Sequence, residues 1–251
     1  MKGTIGFSWL CILLLLAGCA AQPIKPEEAQ RLHRIGVLSL LPTDIRYQQI
    51  GITVFGNELI TKPVGDKFSS LAFKLAKQTI TSSTPSREVI QLFDSDQYLR
   101  NRIRSNSRKM VMFYALERIE DELRDLAKKN NLDAILLIEE CIDDRNRYGF
   151  EAFFEVGLGR YMDGRPKVFG RTSINSDFQI YLISDQGKVM ATAVSEKKVF
   201  QPIKPIGSTE WNKTFATNIT DALHESLTSI VFEQIESELP KQIHNIGLIQ
   251  Q

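Results

Sequence analysis

The chain is poor in the groups that most often do chemistry. Its 251 residues include three cysteines and three histidines. Cys11, Cys19 and Cys141 lie too far apart in sequence for a paired-cysteine zinc or redox motif, and three thiols cannot build a disulfide framework. His33, His224 and His244 form no His-Glu-x-x-His pair, no Gly-x-Ser-x-Gly turn offers a nucleophile, and no Gly-x-x-x-x-Gly-Lys loop offers a phosphate cradle. An excess of one charge is also missing. Lys and Arg number 31 against 30 Asp and Glu, which excludes a general attraction to nucleic acid or to an acidic membrane surface. Long apolar runs are absent too. The longest, residues 5–18, is about fourteen residues where a spanning helix needs about twenty.

What is present begins with that run. It follows a short start carrying Lys2, and small residues come after it, which is the layout of a signal peptide. Its last residues, Leu16-Ala17-Gly18-Cys19, resemble the lipobox of bacterial lipoproteins. The resemblance implies a signal peptide over 1–18, diacylglycerol on the Cys19 thiol, cleavage before Cys19 and acylation of the new amine. Each buried CH₂ contributes only about 0.8 kcal/mol, so several chains on one residue are what make a lasting anchor. The alternative is an ordinary signal peptide cleaved near Ala20 and Ala21, with Cys19 incidental. Ala20 stands where an aspartate resembles the inner-membrane retention signal, so the expected address is the outer membrane, periplasmic face. Residues 20–31, AAQPIKPEEAQR, are polar and hold two prolines, and the expectation is a lipidated tether over 19–32 followed by one periplasmic domain over 33–251.

The body reads as an α/β (α+β) fold: a mixed sheet with crossover helices in the first half, antiparallel hairpins in the second and a long C-terminal amphipathic helix. Residues 34–41, RIGVLSLL, suit a strand buried on both faces, and 47–55, YQQIGITVF, are expected to pair back on it as a hairpin. Phe68, Leu71, Ala72, Leu75 and Ile80 predict a helix over 66–81. A strand at 89–93 follows, with Asp94 or Ser95 as cap for the next helix. Met112, Leu116, Ile119, Leu123 and Leu126 form the apolar stripe of another helix, which runs into the strand 133–138, the pattern of a crossover onto a parallel sheet. Alternation over 150–161 before Asp163-Gly164, and strands at 178–183 and 189–199 around Asp185-Gln186-Gly187, predict antiparallel hairpins. Phe215 through Ile235 mark the final helix, which Pro240 is expected to stop.

The run LRDLAKKNNLDAILLIEE, with Ala127-Lys128 and Asp133-Ala134 at the helix-to-strand link, and the hairpin FQIYLISDQGKVMATAV resemble a periplasmic α/β domain of envelope proteins. That group includes the curli-secretion lipoprotein, the lipoprotein activators of penicillin-binding proteins and the amino-terminal domain of the Tol system's propeller protein. Residues 51–58, GITVFGNE, also resemble uncharacterised proteobacterial exported proteins.

Three patterns stand as candidate sites. Glu139-Glu140-Cys141-Ile142-Asp143-Asp144 leaves the carboxyl end of a parallel strand, where paired carboxylates can bind a cation or act as acid and base. The alternative is a strand end entering a solvated turn, with Arg145 and Arg147 neutralising the acids and Cys141 a buried thiol. Arg100, Arg104 and Arg108, with Arg102 and Lys109 nearby, line one side of a helix that can meet phosphates or an acidic partner, or simply face water. Phe153, Gly157 and Gly159 share a strand face that permits close approach by a partner chain or by the protein's own last helix. His224 is expected to be a partly exposed helix residue. No cofactor, metal or nucleic acid is expected. The expected function is a non-enzymatic accessory or assembly factor of an envelope complex, held on the membrane by lipid on Cys19 and meeting an envelope protein. The alternatives are an envelope hydrolase using the 139–144 carboxylates, or a carrier of a small lipid or glycan between sheet and last helix.

Overall fold

A computed structural model of the chain describes residues 23–50, 58–93, 98–107, 119–140, 158–163, 171–195 and 219–249. In order these form α1 (Pro26–Gln30), β1 (Arg34–Ser39), β2 (Asp44–Ile50), β3 (Glu58–Pro63), α2 (Lys67–Ser83), β4 (Glu88–Leu92), α3 (Tyr98–Ser107), α4 (Glu120–Asn130), β5 (Ala134–Glu140), β6 (Gly159–Asp163), β7 (Arg171–Asn175), β8 (Phe178–Ser184), β9 (Val189–Val194) and α5 (Asp221–Asn245). The fold is α/β, with two mixed sheets. A five-stranded sheet runs β4-β1-β5-β8-β9 and a four-stranded sheet runs β3-β2-β6-β7.

The larger sheet is buried on both faces, and side-chain alternation sorts its residues. On β1 and β5, Ile35, Val37, Ala134, Leu136 and Ile138 enter one core with α2 and α5, while Leu38, Ile135 and Leu137 enter another with α4. α2 contributes Phe68, Ala72, Ala76 and Ile80, one residue per turn on a single stripe. Phe68 meets Phe232 of α5 edge to face, ring centroids 5.3 Å apart. α4 contributes Leu123 and Ala127, with Ile119 just before it. Acids fill its first turn and Lys128 and Lys129 its last, matching the helix dipole. Asn131 then turns the chain in the left-handed region, φ 52°, and the Asp133 carboxylate accepts the backbone N–H of His33 and Arg34 at 2.7 and 2.8 Å. One side chain thus ties the starts of β1 and β5 together. Both β4 and β5 lie parallel to β1, as the crossover pattern predicts. The hairpin of β8 and β9 forms around Gly187, whose φ of 83° and close approach to the Glu120 carbonyl, 2.3 Å from an ideal Cβ, leave room for glycine alone.

Three expectations are corrected. β2 does not fold back on β1. It begins the second sheet, antiparallel to β3 and parallel to β6, because both faces of β1 are already filled and both its edges are taken by β4 and β5. Residues 24–32, expected within the tether, are folded: Ile24, Ala29 and Leu32 are buried in the main core, and the Ile24 N–H donates to the Ile246 carbonyl at 2.9 Å. Three apolar side chains spaced among charged ones are enough to dock α1. Lastly, α5 continues through Pro240 to Asn245, because Leu239 just before the expected stop and Gln242 and Ile243 beyond it are buried and hold the helix against the core. The expected turn at Gly164, and the residues of the 112–118 stripe and of 51–57, lie outside the described residues.

A proline inside a helix removes one backbone hydrogen bond and crowds the preceding turn. Pro240→Ala is therefore expected to raise stability by about 1–3 kcal/mol, read as a higher urea midpoint at unchanged slope. An unchanged or lower midpoint contradicts a helix running through residue 240.

Candidate functional site

The carboxyl ends of β1 and β5 form a seam where the larger sheet meets the smaller one. β1 extends by one bond, Leu40 N–H to the Ile138 carbonyl at 2.7 Å, before the chain crosses into β2. Arg100 of α3 holds that crossing. It is buried, and its guanidinium donates from Nε to the Leu40 carbonyl at 3.0 Å and from Nη2 to the Leu41 carbonyl. On β5, Glu140 is 3 % exposed and both its oxygens are used across the seam. Oε1 accepts from Arg46 Nη2 of β2 at 3.1 Å, and Oε2 accepts the Leu158 N–H, at the head of β6, at 3.0 Å. The Arg46 N–H in turn donates to the Leu158 carbonyl at 3.2 Å. Gly159 completes the join, since a Cβ there would stand 2.3 Å from the Arg46 carbonyl oxygen.

Glu139 points the other way. It neighbours Gln179 on β8 in register, and its Oε1 accepts from Gln179 Nε2 at 2.6 Å. Adjacent strand residues project to opposite faces. Glu139 and Glu140 therefore sit on opposite sides of the sheet and do not form a carboxylate pair. Both side chains are buried, and Glu140 is neutralised by Arg46 of the other sheet; the solvated turn expected after them lies outside the described residues. Cys141, Asp143, Asp144, Arg145 and Arg147 lie outside the described residues. Among the described residues no group of three His, Cys, Asp or Glu side chains could hold a metal ion.

The basic stripe is divided. Arg100 is 8 % exposed and committed to backbone carbonyls, so its expected place on a water-facing side is corrected. Arg102 pairs with Glu122 of α4 and with the Tyr98 hydroxyl, and its guanidinium stands 5.8 Å from the Tyr98 ring centre. Arg104 falls within α3, whose backbone alone is described there, and Arg108 and Lys109 lie outside the described residues, as do Cys19, Phe153 and Gly157.

A second polar group, legible only in three dimensions, pins the start of α5 to the smaller sheet. Tyr47 of β2 is 1 % exposed, and its hydroxyl lies 2.8 Å from His224 Nδ1; His224 Nε2 lies 3.3 Å from the Pro63 carbonyl. The tautomer that satisfies both contacts carries its proton on Nε2, donates it to the carbonyl and accepts from the tyrosine. Burial pushes the Tyr47 hydroxyl up to about 12, opposed in part by Arg160, its register neighbour on β6. Burial lowers the Arg160 guanidinium. Beside them Lys62 Nζ donates to the Asp221 carboxylate at 3.0 Å and holds it below the ordinary carboxylate range. His224 is partly exposed, as expected, but its two ring contacts join elements that sequence spacing gives no hint of joining.

Removing one partner of a buried ion pair leaves the other charge desolvated, at a cost of about 3–5 kcal/mol. Arg46→Met is expected to lose that much, while Glu140→Gln, which keeps an acceptor for the Leu158 N–H, should lose less. Urea unfolding of the two variants checks the order. A raised tyrosine pKa means that folding favours the neutral hydroxyl. Its contribution is full below pH 10 and lost as the pH climbs toward 12, where the unfolded chain ionises first. Tyr47→Phe should unfold less steeply with pH across that window, and an unchanged alkaline profile contradicts the buried hydroxyl.

No family model and no curated protein matches the chain. Among solved structures, it is similar over 84 % of its length to a subunit of a PelC dodecamer from Paraburkholderia phytofirmans, covering 89 % of that chain at 13 % identity with a TM-score of 0.31. It is similar over 82 % of its length to the lipoprotein GNA1162 from Neisseria meningitidis, covering 99 % of that chain at 16 % identity with a TM-score of 0.25. Both TM-scores are low.

Proposed function

We propose that the chain is a lipoprotein of the outer membrane, anchored through lipid on Cys19, whose single periplasmic α/β domain binds another envelope protein as an accessory or assembly factor. The observation that carries this reading is the short apolar run that ends in Leu16-Ala17-Gly18-Cys19: too short to span, placed as an export signal, and closed by a cysteine. No described helix is long and apolar enough to cross a membrane, so lipid is the attachment this reading supplies. Two or three acyl chains on one residue hold where one does not.

Arg46, Glu140, Arg100 and Arg102 all make bonds within the fold. The rival hydrolase reading draws on the carboxylates of 139–144; of these Glu139 and Glu140 face opposite ways, and Asp143 and Asp144 lie outside the described residues. The carrier reading would place its ligand between the sheet and α5, where Leu227, Val231, Ile235 and Leu239 are buried in the core.

Replacement of Cys19 by serine is expected to shift the protein from the membrane to the soluble periplasmic fraction, with the fold unchanged by circular dichroism. Cross-linking in cells followed by pull-down of the wild-type protein should recover one defined envelope protein. A domain that recovers none and turns over an envelope substrate overturns the binding role; a Cys19→Ser variant that stays with the membrane overturns the anchor.

A further inference from the structure

The described chain begins and ends at one pole of the molecule. There the Ile24 N–H donates to the Ile246 carbonyl at 2.9 Å, and the buried Arg87 donates from Nη2 to the Ala29 carbonyl at 2.6 Å and from Nη1 to the Leu248 carbonyl. Ile24, Ala29 and Leu32 share a core with Leu239, Ile243, Ile246 and Leu248. The amino ends of β1, β4 and β5 lie at the same pole, since the Glu88 N–H bonds the His33 carbonyl and the Asp133 N–H bonds the Arg34 carbonyl. The smaller sheet is joined to the opposite, carboxyl ends of those strands through Glu140 and Arg46. α5 connects the two. Its first turns touch the smaller sheet through His224 and Asp221, and its last turn reaches Ile24.

The lengths decide between orientations. α5 has 25 residues and is about 37 Å long. Cys19 precedes Ile24 by five residues, which span at most about 18 Å even when fully extended. An anchor at Cys19 therefore holds Ile24 within that distance of the lipid, and a tether of half the length of α5 cannot let the domain stand with its smaller sheet on the bilayer. We propose that the pole built from Ile24, Arg87 and Ile246 faces the lipid headgroups, and that the β3-β2-β6-β7 sheet is the end carried away from the bilayer. Lys25, Gln30, Arg31 and Lys241 are exposed on the headgroup side, and Leu59 and Thr61 of the edge strand β3 are exposed on the far side. The inference rests on lipidation of Cys19 and adds to it the direction in which the domain points.

The test uses the full lipidated chain, purified from bacterial membranes and placed in phosphatidylethanolamine–phosphatidylglycerol vesicles that carry a nitroxide on the lipid headgroup. In a Cys141→Ser background, a fluorophore is attached at Lys241→Cys or at Thr61→Cys, and a second pair, Gln30→Cys and Leu59→Cys, covers a variant that folds poorly. Quenching is expected to be several-fold greater at 241 and 30 than at 61 and 59. Equal quenching at both ends, as for a domain lying on its side, or stronger quenching at 61 and 59, overturns the orientation while leaving the anchor in place. A chain with Cys19 intact that does not float with the vesicles overturns the anchor, and the orientation with it.

Discussion

The architecture depends on one buried ion pair, Arg46 with Glu140, and on the backbone N–H of Leu158 that shares the carboxylate. Two charges taken out of water are costly unless their mutual attraction and further hydrogen bonds offset the desolvation. Here both carboxylate oxygens are used, one by the guanidinium and one by the peptide that opens β6. The consequence is geometric. β5 belongs to the larger sheet, while β2 and β6 are the central strands of the smaller, so this one side chain bonds across the join between the two sheets. Arg100 adds a lock on the crossing itself by taking up the Leu40 and Leu41 carbonyls, which lie beyond the end of the β1 ladder.

The last helix gives the two-sheet body its length. Its start is pinned to the smaller sheet by Tyr47 and His224, its middle packs Phe232 on Phe68 of α2, and its end receives the first described residues of the chain. Arg87 closes that end with two carbonyl bonds, one to each end of the described chain, and burial lowers its pKa. A guanidinium suits this place because its fork reaches two separate carbonyls at once. Both ends of the described chain are thus part of the folded core.

Much of the fold was legible in the sequence. Periodicity marked the stripes of α2 and α4, the continuous apolar runs of β1 and β5, and the glycine turn between β8 and β9, because each is a local pattern with a local cause. The misplaced features share another cause. A hairpin from β1 to β2 was a fair expectation from alternation and turn residues, but pairing depends on which edges are free, and β4 and β5 occupy both. Pro240 reads as a stop, yet the burial of Leu239, Gln242 and Ile243 outweighs the lost hydrogen bond. Arg100 reads as surface because arginines usually are, and only the proximity of two unbonded carbonyls draws it inside.

The amino-acid sequence by itself determined β1, β4, β5, β8, β9, α2 and the stripe of α4, the parallel crossover, the lack of a recognisable catalytic motif and the export-like run that ends at Cys19. Those follow from short-range composition and spacing. Only the tertiary structure decided that adjacent Glu139 and Glu140 serve opposite faces, that Arg46 is the partner of Glu140 across 94 positions, that Tyr47 meets His224, and that the two ends of the described chain lie together. The physical reason is that desolvated charges and buried hydrogen bonds are settled by whichever groups the packed core brings within reach. Sequence separation carries no record of that choice.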